Sequence, residues 1–332
     1  MRDGDIAYLA FTERGRALAR TLSGALGGEV SCTRDGVSLR EWTAEAFAAR
    51  RALVYVGAAG IAVRAVAPLL VSKASDPAVL AVDECARFAV PLASGHLGGA
   101  NELARQIARV CGATAVVTTA TDARGVFAVD EWARAQGMAI PDAARIRYVS
   151  ARLLAGETVT VRSALPIDGA PPDGVTLTES DDADVWVDWR AHDALTLAPG
   201  MLVLGVGCKR GTARETLERR FAALCAETGA LPETIHAAAT IDSKRGEAGL
   251  SAFCAAHGWA LSYDTANALA SAEGDFSASA FVAQTMGVDN VCERAAALRA
   301  GGELVVRKYA GEGVTLALAK RRLRLDWRQS HG

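Results

Sequence analysis

"LVYVGAAGIAVRAVAPLLVS", Leu53 to Ser72, is the stretch on which the fold turns. A largely apolar run of about twenty residues is long enough to cross a bilayer as one helix. Here Arg64, Pro68 and the glycines Gly57 and Gly60 interrupt it. A buried strand "ALVYV", a loop "GAAG" and a helix through Leu70 fit the pattern better. The same alternation extends to both sides. "IAYLAF" reads as a strand, followed by a helix beginning near Thr12. "AVLAVD" and "RFAVPL" read as further strands. A helix then runs from about Asn101 to Val110, with Asn101 as its N-cap and Leu103, Ile107 and Val110 on its buried face. "TAVVTTATD" closes the pattern as another strand segment. Strands alternating with helices predict a mainly parallel sheet covered by helices.

The next segment changes character. "IPDAARIRYVSARLLAGETVTVRS" predicts one helix and one strand, and a stretch rich in Pro, Gly and Asp follows. A second strand, glycine-rich loop and helix begin at "MLVLGVGCKRGT", and "ELVVRKYAGEGVTLALA" predicts a hairpin turned at Gly311-Glu312-Gly313. The predicted class is α/β: two α/β domains with mainly parallel sheets, joined by a small α+β middle module. The expected boundaries are 1–137, 138–198 and 199–322, with a basic, frayed tail over 323–332.

Composition narrows the function. The chain has 332 residues, is 51% hydrophobic and 6% aromatic, and carries a formal charge of −2. That suits an ordered α/β protein and offers no global attraction to nucleic acid or an anionic membrane. The seven cysteines form no C-x-x-C pair, so neither a zinc-ligand spacing nor a disulfide framework is visible. No leader sequence is recognisable at the start, and a reducing cytoplasm is the expected location.

Four loops that follow strands hold the unusual residues, and in open α/β sheets ligands gather at such loops. "VGAAGIAVR" offers Gly57, Gly60 and Arg64. "SGHLGGANELA" holds His96 above Gly98 and Gly99, just before Asn101 and Glu102. An imidazole titrates near neutral pH and suits proton transfer, and bare glycine amides can bind an anion. "TTATDARGVFAVDEWA" supplies Thr121, Asp122 and Asp130. "GVGCKRGT" lacks the glycine-lysine spacing of a P-loop and fails G-x-G-x-x-G at Arg210. Five of the 36 basic residues are lysines, and four of the five, Lys73, Lys209, Lys244 and Lys308, lie in glycine- or acid-rich segments. Where arginine dominates, a retained lysine points to a use for a compact ammonium.

Together "GAAGIAVRAVAPLL", "KASDPAVLAVDE", "SGHLGGANELA", "TTATDARGVFAVDEWA", "RIRYVSARLLAGE", "LGVGCKRGT", "ATIDSKRGEAGL" and "VVRKYAGEGVTLALA" resemble the CbiG family of cobalamin biosynthesis, the cobalt-precorrin-5A hydrolases. The last three resemble the stand-alone CobE protein. The resemblance covers almost the whole chain in order, and the stretch beyond Lys320 matches nothing in the family. It implies hydrolysis of a δ-lactone on a cobalt-bound macrocycle, release of C20 with its methyl group as acetaldehyde, and cobalt-precorrin-5B as product. Cobalt arrives in the substrate, so no cofactor and no protein-bound metal are expected. The other enzymes of the pathway are the expected protein partners.

For that chemistry, His96 is the expected general base, with Glu102 or Asp122 assisting it. The Gly98 and Gly99 amides would polarise the lactone carbonyl. Arg64, Lys73, Lys209, Arg210, Lys244 and Lys308 would anchor carboxylates, and Gly57, Gly60, Asn101, Thr121 and Asp130 would complete the binding surface. The rival reading is a non-catalytic protein that binds or channels the corrinoid intermediate. A nucleotide-dependent enzyme is disfavoured by the missing phosphate motifs.

Overall fold

In the computed structural model, residues 5–72, 75–278, 284 and 288–328 are described. The chain divides into two compact units, Met1–Ala135 with Ile146–Glu157 and Arg328–Gly332, and Gln136–Arg145 with Thr158–Trp327.

In the first unit the Leu53 stretch is a strand followed by a helix: β3 is Ala52–Val56 and α3 is Ala59–Val66. With β1 (Ile6–Ala10), β2 (Glu29–Cys32), β4 (Ala78–Val82), β5 (Phe88–Ala93) and β6 (Thr114–Ala115) it builds one sheet, ordered β2-β1-β3-β4-β5-β6. All pairings are parallel except β4 with β5. Alternate residues of β1 enter different cores. Ile6, Tyr8 and Ala10 pack with Leu22, Leu103 and Ile107 on one face. Ala7 and Leu9 pack with Tyr55, Ala62 and Val66 on the other. Burial of both faces explains why β1, β3 and β4 read as unbroken apolar runs. The cover comes from α1 (Glu13–Leu26), α2 (Leu39–Ala49), α3 and α4 (Ala100–Cys111). Thr12 caps α1 by accepting from the Gly15 amide at 3.0 Å.

Three short helices complete this unit: α5 (Ala120–Arg124), α6 (Val129–Ala135) and α7 (Ile146–Leu154). Here one expectation is corrected. "TAVVTTATD" is a strand only at Thr114–Ala115 and is already helical from Ala120. The Thr119 hydroxyl donates to the Asp122 carboxylate, a local bond that favours a helix start over a ladder.

The second unit holds two five-stranded sheets. One orders β10 (Val175–Leu177), β8 (Val159–Ser163), β11 (Val185–Val187), β12 (Leu195–Pro199) and β7 (Met138–Ala139), with only β7 antiparallel. The other is ordered β15-β14-β13-β17-β16. It combines β13 (Leu202–Cys208), β14 (Ile235–Ile241) and β15 (Ala260–Asp264) with the hairpin β16 (Leu304–Gly311) and β17 (Val314–Lys320). Helices α8 (Arg214–Thr228), α9 (Ala248–Ala256), α10 (Ala266–Ala270) and α11 (Cys292–Ala300) accompany it. Glu312 sits in the hairpin turn at φ 52°. A Cβ at Gly205 would lie 1.8 Å from the Cys292 carbonyl, so this glycine serves the close approach of α11 to β13. Up to Arg328 the basic tail is tied down: β9 (Ile167–Asp168) pairs with β18 (Leu325–Asp326), and Arg324 bonds Asp168.

Candidate active site

The chain leaves β5 through Ser94, a non-glycine residue at φ 54°, and enters α4 through Gly99 at φ 85°. Gly99 is therefore the N-cap, and the expectation of Asn101 there is corrected. The loop's own carbonyls take the first amides: Gly99 N–H donates to His96 O at 2.9 Å, Ala100 to Ser94 O at 3.1 Å and Asn101 to Gly95 O at 2.9 Å. The Gly99 amide expected to stand bare is thus engaged in closing its own turn. Gly98 packs against Ser94, whose Cβ would lie 2.4 Å from an added methyl. Released from capping, the Asn101 side chain donates to Thr119 Oγ1 and to Asp122 Oδ2, both at 3.1 Å.

These contacts hold His96 in a carboxylate clamp. Its Nδ1 lies 3.1 Å from Asp130 Oδ2 on α6, and its Nε2 lies 3.0 Å from Asp122 Oδ2 on α5. Glu131 Oε1 is 3.8 Å from Nε2, and Thr121 Oγ1 is 3.4 Å from it. Arg105 of α4 donates to Asp122 Oδ1 and lies 3.8 Å from Glu131 Oε1. Burial alone would lower the affinity of the imidazole for a proton. The bond and charge of Asp130, with Asp122 and Glu131, outweigh it and push the pKa up to about 9. Burial likewise tends to raise the Asp122 carboxyl, but Thr119, His96 and Arg105 hold it below its usual range. Burial and the neighbouring Asp122 charge raise Glu131.

A cavity of about 400 Å³ opens beside the ring, lined among others by Ser94, His96, Thr121, Asp130, Arg147 and Ser150. The last two come from α7. The Ser94 hydroxyl is buried without a hydrogen-bond partner among the described residues. Arg147 is exposed, and its guanidinium makes no ion pair among the described residues.

The second unit holds another cavity, of about 480 Å³, where Lys209, Arg210, Lys244 and Lys308 converge with Cys208 and Asn290. Lys209 and Arg210 leave β13, Lys244 follows β14, and Lys308 lies on β16. Lys244 is buried and lies 3.4 Å from Glu247 Oε1, while Glu247 Oε2 accepts the Gly211 amide at 2.8 Å. Lys209, Arg210 and Lys308 make no side-chain ion pair among the described residues. Burial raises the Cys208 thiol and pushes Cys292 up to about 11.

Tertiary structure thus gathers His96, Asn101, Thr121, Asp122 and Asp130 at one place and the four cations of the second unit at another. Other expected site residues stand apart. The Gly57 amide donates to Val82 O at 2.8 Å, and a Cβ there would lie 2.6 Å from the Phe11 ring. Neither Gly57, Gly60 nor Arg64 lines the His96 cavity. Glu102 is buried, but its partners are Arg109 at 3.2 Å, Gln106 at 3.3 Å and Arg105 at 3.6 Å, not the imidazole. Lys73 lies outside the described residues. Sequence reasoning missed Ser94, Arg105, Thr119, Glu131 and Arg147. Helical spacing held one signal, since Arg105 stands four residues after Asn101 on α4.

Comparison with known proteins places these features in a lineage. Residues 41–122 match the family described as Cobalamin synthesis G N-terminal, 127–204 the Cobalamin biosynthesis central region, and 202–319 the Cobalamin synthesis G C-terminus. The cobalt-precorrin-5A hydrolase of Salmonella typhimurium is 33% identical over 296 residues, covering 82% of this chain and 83% of its own. The cobalt-precorrin-5A hydrolase of Priestia megaterium is 27% identical, covering 95% of each chain. The solved structure of CobE, a protein from the cobalamin (vitamin B12) biosynthetic pathway, is 28% identical, covering 36% of this chain and 89% of that one, with a TM-score of 0.35. The chain belongs to the CbiG family of cobalamin biosynthesis proteins.

Proposed function

We propose that the chain is a cobalt-precorrin-5A hydrolase of cobalamin biosynthesis, opening the substrate's δ-lactone and releasing C20 with its methyl group as acetaldehyde. The observation that carries this reading is the 33% identity with an enzyme of that name over 82% of the chain. The geometry supports it by supplying what ester cleavage needs: a group that moves protons, donors for an oxyanion and cations for carboxylates.

In the first unit His96 moves the proton. Asp130 at Nδ1 and Asp122 at Nε2 fix the orientation of the ring, which lines the cavity and exchanges a proton as water adds to the carbonyl. The hydroxyls of Ser94 and Thr121 serve the developing oxyanion, taking the role that the engaged Gly99 amide cannot fill. The ester C–O bond breaks to leave a carboxylate and a C20 hydroxyl. Arg147 on the cavity wall suits that carboxylate. Loss of the hydroxyl proton then cleaves the C–C bond, and its electron pair passes into the macrocycle as acetaldehyde departs. Within the second unit, Lys209, Arg210 and Lys308 suit carboxylate groups of the kind that fringe a corrinoid.

The test is anaerobic incubation of the purified chain with cobalt-precorrin-5A, reading acetaldehyde with a coupled dehydrogenase. Stoichiometric acetaldehyde and conversion to cobalt-precorrin-5B are expected. Tight corrinoid binding without acetaldehyde would replace this reading with that of a non-catalytic binding or channelling protein.

A further inference from the structure

We infer that the His96 clamp is a binding site for one divalent first-row transition-metal ion, held by His96 Nε2, Asp122 and Glu131. The inference rests on the geometry of these residues and not on the proposed activity.

Three observations carry it. The donor atoms of His96, Asp122 and Glu131 all lie within 4.8 Å of one another. Two of the separations suit a shared ion. With metal–ligand bonds of about 2.1 Å, two donors lie about 3.0 Å apart at a right angle and about 3.8 Å apart near 130°. His96 Nε2 lies 3.0 Å from Asp122 Oδ2 and 3.8 Å from Glu131 Oε1.

The second observation is Glu131 itself. The residue is 5% exposed, and its Oε1, the atom turned toward Nε2 and 3.8 Å from Arg105, has no hydrogen-bond partner among the described residues. A buried carboxylate oxygen left unbonded is costly, and a cation at this point would satisfy it.

The third is the shell around the donors. A metal-binding histidine characteristically turns its other nitrogen to a carboxylate, which fixes the tautomer and ring orientation. Asp130 stands in that position, 3.1 Å from Nδ1. Ligand carboxylates are hydrogen-bonded in turn, and Asp122 is held by Asn101, Thr119 and Arg105. Arg105 uses Oδ1, while Oδ2 accepts from Asn101 and Thr119 and also faces the imidazole. Three carboxylates thus surround one imidazole, with Arg105 bonded to Asp122 and Arg134 acting on Glu131, so the group keeps a net negative charge that attracts a cation. The donor set of one nitrogen and two carboxylate oxygens, without sulfur, selects zinc, manganese or ferrous iron over soft ions. The same position at Nε2 takes a proton or the ion, so uptake of the ion displaces the proton, and the ion-bound ring does not make the proton transfer proposed above.

The decisive experiment titrates the chelator-stripped, full-length chain with Zn2+ by calorimetry. One site of micromolar or tighter affinity is expected. Glu131→Gln and His96→Gln should each weaken binding at least 30-fold, while Asp130→Asn should weaken it about 10- to 100-fold without abolishing it. X-ray absorption of the wild-type zinc form should show nitrogen and oxygen donors only, which keeps the test independent of whether a variant folds. Absence of binding overturns the inference. So does sulfur in the coordination shell, or wild-type affinity in folded Glu131→Gln.

Discussion

The His96 cluster and the lysine-lined cavity hold charge in opposite ways. In the first unit both imidazole nitrogens face carboxylates, and Asp122 alone meets His96, Asn101, Thr119 and Arg105. In the second, Lys209, Arg210 and Lys308 stand around a cavity with no side-chain ion pair among the described residues. The first arrangement is preorganised. Its side chains fix one another, which suits a group that must be in place before a bond breaks. The second leaves cations unsatisfied, which suits a surface completed by an anionic ligand. On the proposed reading, fixed charge serves reaction and unpaired charge serves capture.

The comparison breaks first, if it breaks, at His96. His96→Ala should lower kcat for acetaldehyde release by about 10²- to 10⁴-fold, the range for loss of a positioned proton-transfer group. KM should change little. A variant of unchanged kcat would show that the cluster is only a structural ion-pair network.

The second cavity depends on the approach of α11 to β13. Gly205→Ala forces a methyl against the Cys292 carbonyl and should cost about 3 kcal/mol of stability in urea unfolding. Wild-type stability would mean that the helix moves aside readily. A smaller effect is expected where capture is tested. Lys209→Ala should weaken corrinoid binding about tenfold in a direct binding titration, since a hydrogen bond to a charged group is worth about 1.5–3 kcal/mol. Unchanged affinity would remove that lysine from the capture surface.

The smallest effect concerns Glu247, which braces the cavity wall through the Gly211 amide and Lys244. The amide and the Lys244 ammonium hold its carboxyl below the usual range. A lowered folded pKa stabilises the protein above the unfolded carboxyl pKa of about 4.3, and that stability disappears as pH falls through the folded value. Glu247→Gln should therefore cost about 1 kcal/mol at pH 7, and the difference from wild type should close below about pH 4. Urea midpoints at the two pH values check it. A gap that persists in acid would point to packing rather than charge.

The fold was largely legible because its signals are local. β3 could be separated from α3 within the Leu53 stretch because glycine, arginine and proline punctuate one apolar run. The site was legible only in part. His96, Asp122 and Asp130 each stood out in their own loops, but their pairing spans 26 and 34 residues and depends on the register of β5 and the phase of α5 and α6. Glu131 was hidden by its neighbour, since nothing in "VDEWA" says which acid faces the ring. Arg147 was hidden because α7 packs with the first unit although it follows β7 of the second.

The sequence by itself determined the alternation of strands and helices, because a parallel sheet buried on both faces requires runs of apolar residues bounded by turn formers. It also placed Lys209 and Arg210 in a loop that follows a strand. Only the tertiary structure decided that Gly99 and not Asn101 caps α4, that Glu102 turns away from His96, that Glu131 turns toward it, and that Arg105 reaches Asp122. Those choices follow from which side chains meet across separate elements, and a pattern with the period of one helix or strand carries no record of its neighbours.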